Sequence, residues 1–412
     1  MSDIQQTMKS YFQQIKSQWL RTEDHFPSLP VISQEKKVKN QRDIEDMTGF
    51  FQKQIKHMPR LSFQKKRWAN NISNQINDML HQEELIGIHN VLTQDAVDTW
   101  QEELKEFLRL TRKVFPRFTF EETGQGIRNY IVYKMISELC GVSRDFCKAA
   151  YGYSMLYPVT DNYIDSNRSF DEKAEYNQYI KEHIEGKDPD PKDEHQLETG
   201  MLLDAIQSEF PRKENKELYA LLLLMLDAQA TCLKQQNVHE KLSIDDRLNI
   251  SIYKGGTSVL FDRFLVRKQV TESDFLSYIG LGFFLQLADD LQDIKEDGER
   301  GHHTIFTYRK DSDYLEKTVN KLLQYIRHVL EKLQTSNQPF KEFLLFNCYH
   351  LVYLSVIMSK EFFTQEYLDC MENYLLISLS SFDTLLNQRP ENMEEADQEK
   401  YMEMLDAILF LV

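Results

Sequence analysis

Apolar positions recur along almost the whole chain at intervals of three and four residues, and the alternation of a half-buried strand is nearly absent. Leu, Glu, Lys, Gln and Met dominate, all good helix formers, while Gly and Pro punctuate rather than fill. The pattern predicts an all-α protein. Helices are expected at 126–140, 143–167, 193–208, 214–236, 245–268, 272–296, 313–334, 338–361, 364–388 and 394–410. The segment Gly186 to Lys192 reads as a polar loop. Hydrophobicity rises beyond 124, which suggests an N-terminal helical extension over 1–115 and a main domain over 116–412. The acid-rich stretch from Glu391 to Asp406 reads as an exposed terminal helix.

Composition narrows the class. With 41% hydrophobic residues, 25 Phe and 20 Tyr, the chain has material for a large core, so disordered and collagen-like classes are excluded. Its net charge of −16 argues against a nucleic-acid partner. Residues 35–68 run against that balance, with ten Lys or Arg against four acids. A solvated helix face accounts for such a run, and so does peripheral contact with an anionic membrane. Five cysteines with no CxxC spacing argue against a disulfide framework or a Cys-based zinc site. The opening residues lack an apolar h-region, and the longest apolar run, Phe275 to Ala288, is too short to span a bilayer. A cytoplasmic protein is expected.

Two acidic clusters carry the chemistry. In the first, Asp161 and Asp165 are four residues apart, on one helix face and about 6 Å apart along the axis. Pro158 just before them is expected to kink a helix or open a new one. In the second, Asp289, Asp293 and Asp297 repeat at four-residue spacing, with Asp290 and Glu296 beside them. Like charges so placed oppose helix formation by about 0.2–0.5 kcal/mol per pair. A core helix that ends in them calls for positive charge opposite. Oxygen ligands alone favour Mg²⁺ over zinc. Either cluster by itself could be a solvated helix end; two, each following an apolar helix, point to a metal and a phosphorylated ligand held between them.

These residues resemble the class I isoprenoid synthase superfamily. Asp289-Asp290-Leu-Gln-Asp293, preceded by Gln286, resembles the second DDxxD motif of trans-prenyltransferases, and Gln286 to Gly301 also resembles the second motif of phytoene synthases. Asp161 to Asp165 is a DxxxD, more similar to squalene/phytoene synthases and bacterial large-terpene synthases. The resemblance covers roughly 125–310. No Arg-Arg-Gly follows the first motif, only Arg168, and the second is not the NSE/DTE triad of plant and fungal cyclases.

The resemblance implies a helical bundle around a central cavity. Mg²⁺ would be held by Asp161, Asp165, Asp289 and Asp293, with Asp290 and Asp297 supporting. A prenyl diphosphate would be gripped by Lys254, Arg300, Arg128 and Arg144. The cavity would be lined by Tyr157, Phe261, Phe283 and Gln286. The pair Gly255-Gly256 weakens its helix, and a break there would aim Lys254 inward. Arg300 would sit on a mobile loop that closes over the diphosphate. The activity implied is ionisation of a prenyl diphosphate and release of a linear or cyclic terpene. Prenyl transfer, head-to-head or chain-elongating, shares the same chemistry. A non-catalytic regulatory subunit, or a homodimer of either kind, is also compatible with a helical chain, although a subunit without catalysis has no need of both acidic clusters.

Overall fold

The computed structural model describes residues 3–82, 84–143, 145–166, 168–236, 242–309, 311–386 and 395–411. Among them the protein is all α-helix, with three short 3₁₀ turns. The helices are α1 Asp3–Arg21, α2 Gln34–Lys56, α3 Ser62–Gln82, α4 Gln94–Val114, α5 Phe120–Leu139 and α6 Lys148–Asp165. There follow α7 Phe170–Glu185, α8 Glu194–Glu209, α9 Lys216–Cys232, α10 Ile244–Val266, α11 Glu272–Gln292 and α12 Ile294–Arg300. The last are α13 Ser312–Lys332, α14 Gln338–Met358, α15 Gln365–Glu372, α16 Leu379–Leu386 and α17 Glu395–Leu411.

Contacts divide the chain into two units. The larger joins Met1–Leu29 to Arg128–Asp369, and the smaller joins Pro30–Ile127 to Cys370–Val412. The chain therefore changes unit at 29–30, 127–128 and 369–370, beside the single change expected near 115. Helix α1 belongs to the larger unit: Trp19 packs edge-on against Phe283 and Tyr325, both at 5.5 Å, and Tyr11 stacks on Phe275.

The antiparallel pair α10 and α11 makes the most extensive helix contact in the larger unit. Its closeness comes from glycine. A Cβ on Gly255 would fall on the Gly282 carbonyl, one on Gly282 would fall on the Gly255 carbonyl, and one on Gly256 would meet Ile279 Cγ2 at 2.7 Å. The expected helix break at Gly255-Gly256 is absent, since α10 runs unbroken from 244 to 266. The pair serves close approach of two backbones instead, because buried packing compensates for glycine's weak helix propensity. Helices α6 and α8 meet the same way, at Gly152 against the Leu202 carbonyl.

Other boundaries also differ from expectation. Helix α7 was not anticipated, although Ser169 and Glu172 form a capping box at its start. The predicted helix 272–296 is two helices joined at Asp293, and 364–388 is split by residues 373–378. In the smaller unit α17 packs on α3 and α4 and buries Met404, Ala407 and Leu409. It is a core element rather than the exposed helix its acids suggest. Arg112 grips Asp406 with two hydrogen bonds, at 2.8 and 3.0 Å, and Arg109 donates to the Leu409 carbonyl. None of the described helices is long and apolar enough to cross a membrane.

Candidate functional site

Helix α6 carries the first acidic cluster through an internal proline. Pro158 has no N–H for the Ser154 carbonyl, and Asn129 Nδ2 of α5 donates to that oxygen at 3.4 Å. The helix stays continuous, and α5 is tied to it beside Arg128. Asp165 closes α6, its side chain lying outside what the structure describes, as does Arg144.

Helices α6 and α10 run side by side. Tyr153 and Ser258 hydroxyls hydrogen-bond at 2.7 Å. One turn along each helix lie Tyr157 and Lys254, and one turn beyond Tyr157 lies Asp161. On the other side of α10, Ser251 Oγ donates to Asp290 Oδ2 at 3.2 Å, and Gln286 Nε2 donates to Asp290 Oδ1 at 2.8 Å. The glycine crossing thus sets Lys254 against the end of α11.

The electrostatics show which of these side chains share one space. Burial works against the Lys254 ammonium, but Tyr157, Asp161, Cys232 and Asp289 around it hold its pKa well above the ordinary value. The two acidic clusters therefore act on a single lysine. Desolvation raises Asp289, while Lys254 and Arg128 pull it back. Asp293 is pushed up to about 7 by burial and then by Asp289, Asp297 and Glu296. Burial also carries Asp290 to about 7, against its bond from Gln286. Asp297 is raised by burial, with His302 opposing at 3.1 Å. Lys254 pulls the Tyr157 phenol down, while Asp161, burial and Asp289 push it further up, so it stays a hydrogen-bond donor.

Asp289 is exposed and Tyr157 keeps 36% of its surface. Arg128, Tyr157, Asp161, Lys254, Asp289, Asp293 and Asp297 lie within electrostatic reach of one another.

Other expected members are elsewhere or play other parts. Arg300 ends α12 and pairs with Glu296 at 3.3 Å, with both side chains mostly exposed. The segment after it is held rather than loose: buried Arg247 donates to the Thr304 carbonyl at 2.6 Å and meets His303 Nδ1 at 3.1 Å. Phe283 and Phe261 have no accessible surface and so are core residues rather than the lining of a cavity. Phe283 packs with Trp19 and Tyr325, and Phe261 lies against Tyr153 at 4.5 Å. Asp290 is buried with both oxygens accepting hydrogen bonds, so it anchors α11 to α10. Gln286 is committed to that anchor.

Sequence reasoning missed Cys232, at the end of α9, whose thiol burial raises to about 11 beside Lys254. It also missed Ser251. Ser359 was missed too; its hydroxyl donates to the Leu291 carbonyl at 3.1 Å and caps the last turn of α11.

Among the described residues, no three His, Cys, Asp or Glu side chains already form a metal cage. Mg²⁺ does not require one, since it commonly takes one or two carboxylates and fills its shell with water and phosphate oxygens. The donor set suits it: hard oxygens whose mutual repulsion and burial raise their proton affinity, a charge excess that a divalent cation relieves. Neither protein-family models, nor curated proteins, nor solved structures show a match to this chain.

Proposed function

We propose that this chain is a Mg²⁺-dependent terpene synthase with a class I isoprenoid synthase bundle, ionising a prenyl diphosphate and releasing a linear or cyclic terpene. The observation that carries the reading is Lys254, placed under the influence of Asp161 from α6 and Asp289 from α11. Two acidic helix ends around one cation suit a ligand that bears both phosphate charge and metal.

Asp161, Asp289 and Asp293 would hold Mg²⁺, with Asp165 and Asp297 nearby; when bound, the metal supplies Lewis-acid stabilisation of the departing diphosphate. Lys254 and Arg128 bind diphosphate oxygens, and Tyr157 donates its O–H toward the same charge. The allylic carbon–oxygen bond breaks, its electron pair leaves with the diphosphate, and the prenyl cation remains beside these side chains. The Tyr153 and Tyr157 rings offer negative faces to that cation. Loss of a proton, or capture of one water molecule with loss of a proton, ends the reaction.

The test is incubation with labelled prenyl diphosphates from ten to thirty-five carbons, with and without Mg²⁺. Diphosphate release with a hydrocarbon or alcohol of unchanged carbon number is expected. A doubled or lengthened chain would assign a prenyltransferase instead. No release from any substrate would leave the regulatory subunit. The double variant Asp289→Ala/Asp293→Ala, with its circular dichroism retained, is expected to lose release by at least about a hundredfold.

A further inference from the structure

The smaller unit holds a segment whose charge runs against the rest of the molecule. Residues 47–77 contain no Asp or Glu and six Lys or Arg, in a chain of net charge −16. The segment comprises the end of α2, the turn 57–61 and most of α3. Lys65 is committed to Glu403 of α17. Lys53, Lys56, Arg60, Lys66 and Arg67 are exposed, as is His57. These five Lys and Arg side chains make no ion pair among the described residues.

At the tip of this cationic segment are two large apolar side chains turned out to water. Leu61, in the turn, is 56% exposed, and Phe63, in the first turn of α3, is 73% exposed. Single exposed apolar residues are ordinary. Two of them two positions apart, flanked on both sides by unpaired cations, form a pattern with a physical use. An apolar wedge enters the acyl boundary of a bilayer while surrounding Lys and Arg meet anionic headgroups. Half-buried Met58 and Pro59 restrict the turn that presents it.

We propose that the α2–α3 tip is a docking surface for an anionic lipid bilayer, with Leu61 and Phe63 inserted and Lys53, Lys56, Arg60, Lys66 and Arg67 on the headgroups. Charge complementarity names the occupant. Along residues 47–77 the charge is entirely positive, and the apolar pair at its apex suits a lipid surface better than the polar backbone of a nucleic acid. The inference stands apart from the catalytic reading, since it needs no activity.

The experiment is co-sedimentation of the full chain with vesicles of phosphatidylcholine alone, or with about a third of the lipid replaced by phosphatidylglycerol, at about 0.05 and 0.5 M salt. Binding to the anionic vesicles at low salt is expected, with little to the neutral ones. Leu61→Ser/Phe63→Ser should weaken it roughly tenfold, and Lys56→Glu/Lys66→Glu should remove most of its salt dependence. All four positions are exposed, and circular dichroism checks that the variants fold. Equal binding to neutral and anionic vesicles, or undiminished binding by the Leu61/Phe63 variant, overturns the proposal. So does retention on a homopolymeric RNA with no binding to vesicles.

Discussion

Pro158 removes one backbone donor from α6, and a side chain on another helix supplies the replacement. Asn129→Ala should therefore cost about 1 kcal/mol in urea unfolding, since it leaves a buried carbonyl unbonded. In Asn129→Ala/Pro158→Ala the loss should shrink, because alanine in place of Pro158 brings back the missing backbone N–H. Additive losses in that double variant would show that Asn129 stabilises α6 by some other route. The acidic residues make a second prediction. Asp290 and Asp293 titrate near 7 when folded, against an ordinary aspartate value near 4 when unfolded. Between those values the folded chain binds more protons than the unfolded one, so these groups make stability fall as pH rises from about 4 to about 7 and level off above. A divalent cation favours the ionised form. Mg²⁺ should consequently raise the melting temperature more at pH 8 than at pH 5. An equal shift at both would mean that the cation binds away from Asp293.

At the scale of elements, the glycine crossing of α10 and α11 governs where Lys254 and Asp289 meet. Gly282→Ala adds a methyl group where the Gly255 carbonyl already lies. It should destabilise the protein by about 1–3 kcal/mol, read by denaturant unfolding, and push the two helices apart at the site. This feature also shows what sequence could and could not tell. The two acidic clusters were legible, because stacked carboxylates after an apolar helix stand out without knowledge of the fold. The Gly255-Gly256 pair was misread as a break, because a glycine pair in one strip of sequence looks like weakness. Its meaning depends on Gly282 in another helix, which no local pattern connects to it. The resemblance puts Phe283 and Phe261 on a cavity because they lie on the helices that would surround it. Helical spacing gives a residue's face, but not whether that face meets a hollow or, for Phe283, Trp19 from the start of the chain. Helix α7 was legible in principle. Its capping box is a sequence signature, and Tyr176, Tyr179, Ile180, His183 and Ile184 are its buried residues.

Across the whole molecule, the all-α class followed from periodicity alone, whereas the division into units did not. Each unit draws on segments far apart in the chain. A hydrophobicity profile read along the sequence sees one boundary, near 115, whereas the contacts change unit at 29–30, 127–128 and 369–370. Acid content misled in the same way at α17: its outward acids hide an inner face that α3 and α4 bury. Arg112→Ala should test how firmly that helix is fastened. The Arg112–Asp406 pair is bidentate and partly screened, so a loss of about 1 kcal/mol is expected in the unfolding of the smaller unit. An unchanged midpoint would mean that apolar contacts alone hold α17.

The partners Arg112 and Asp406 are 294 residues apart. A ribosome making this chain releases α2, α3 and α4 long before the helix that covers them exists. Until then their oily sides are open to any passing surface, for a time set by translation rather than by folding speed. Nascent chains stalled just before α17 should thus be far more readily cleaved by protease within 30–127 than the finished protein, and should depend more on chaperones to stay dispersed.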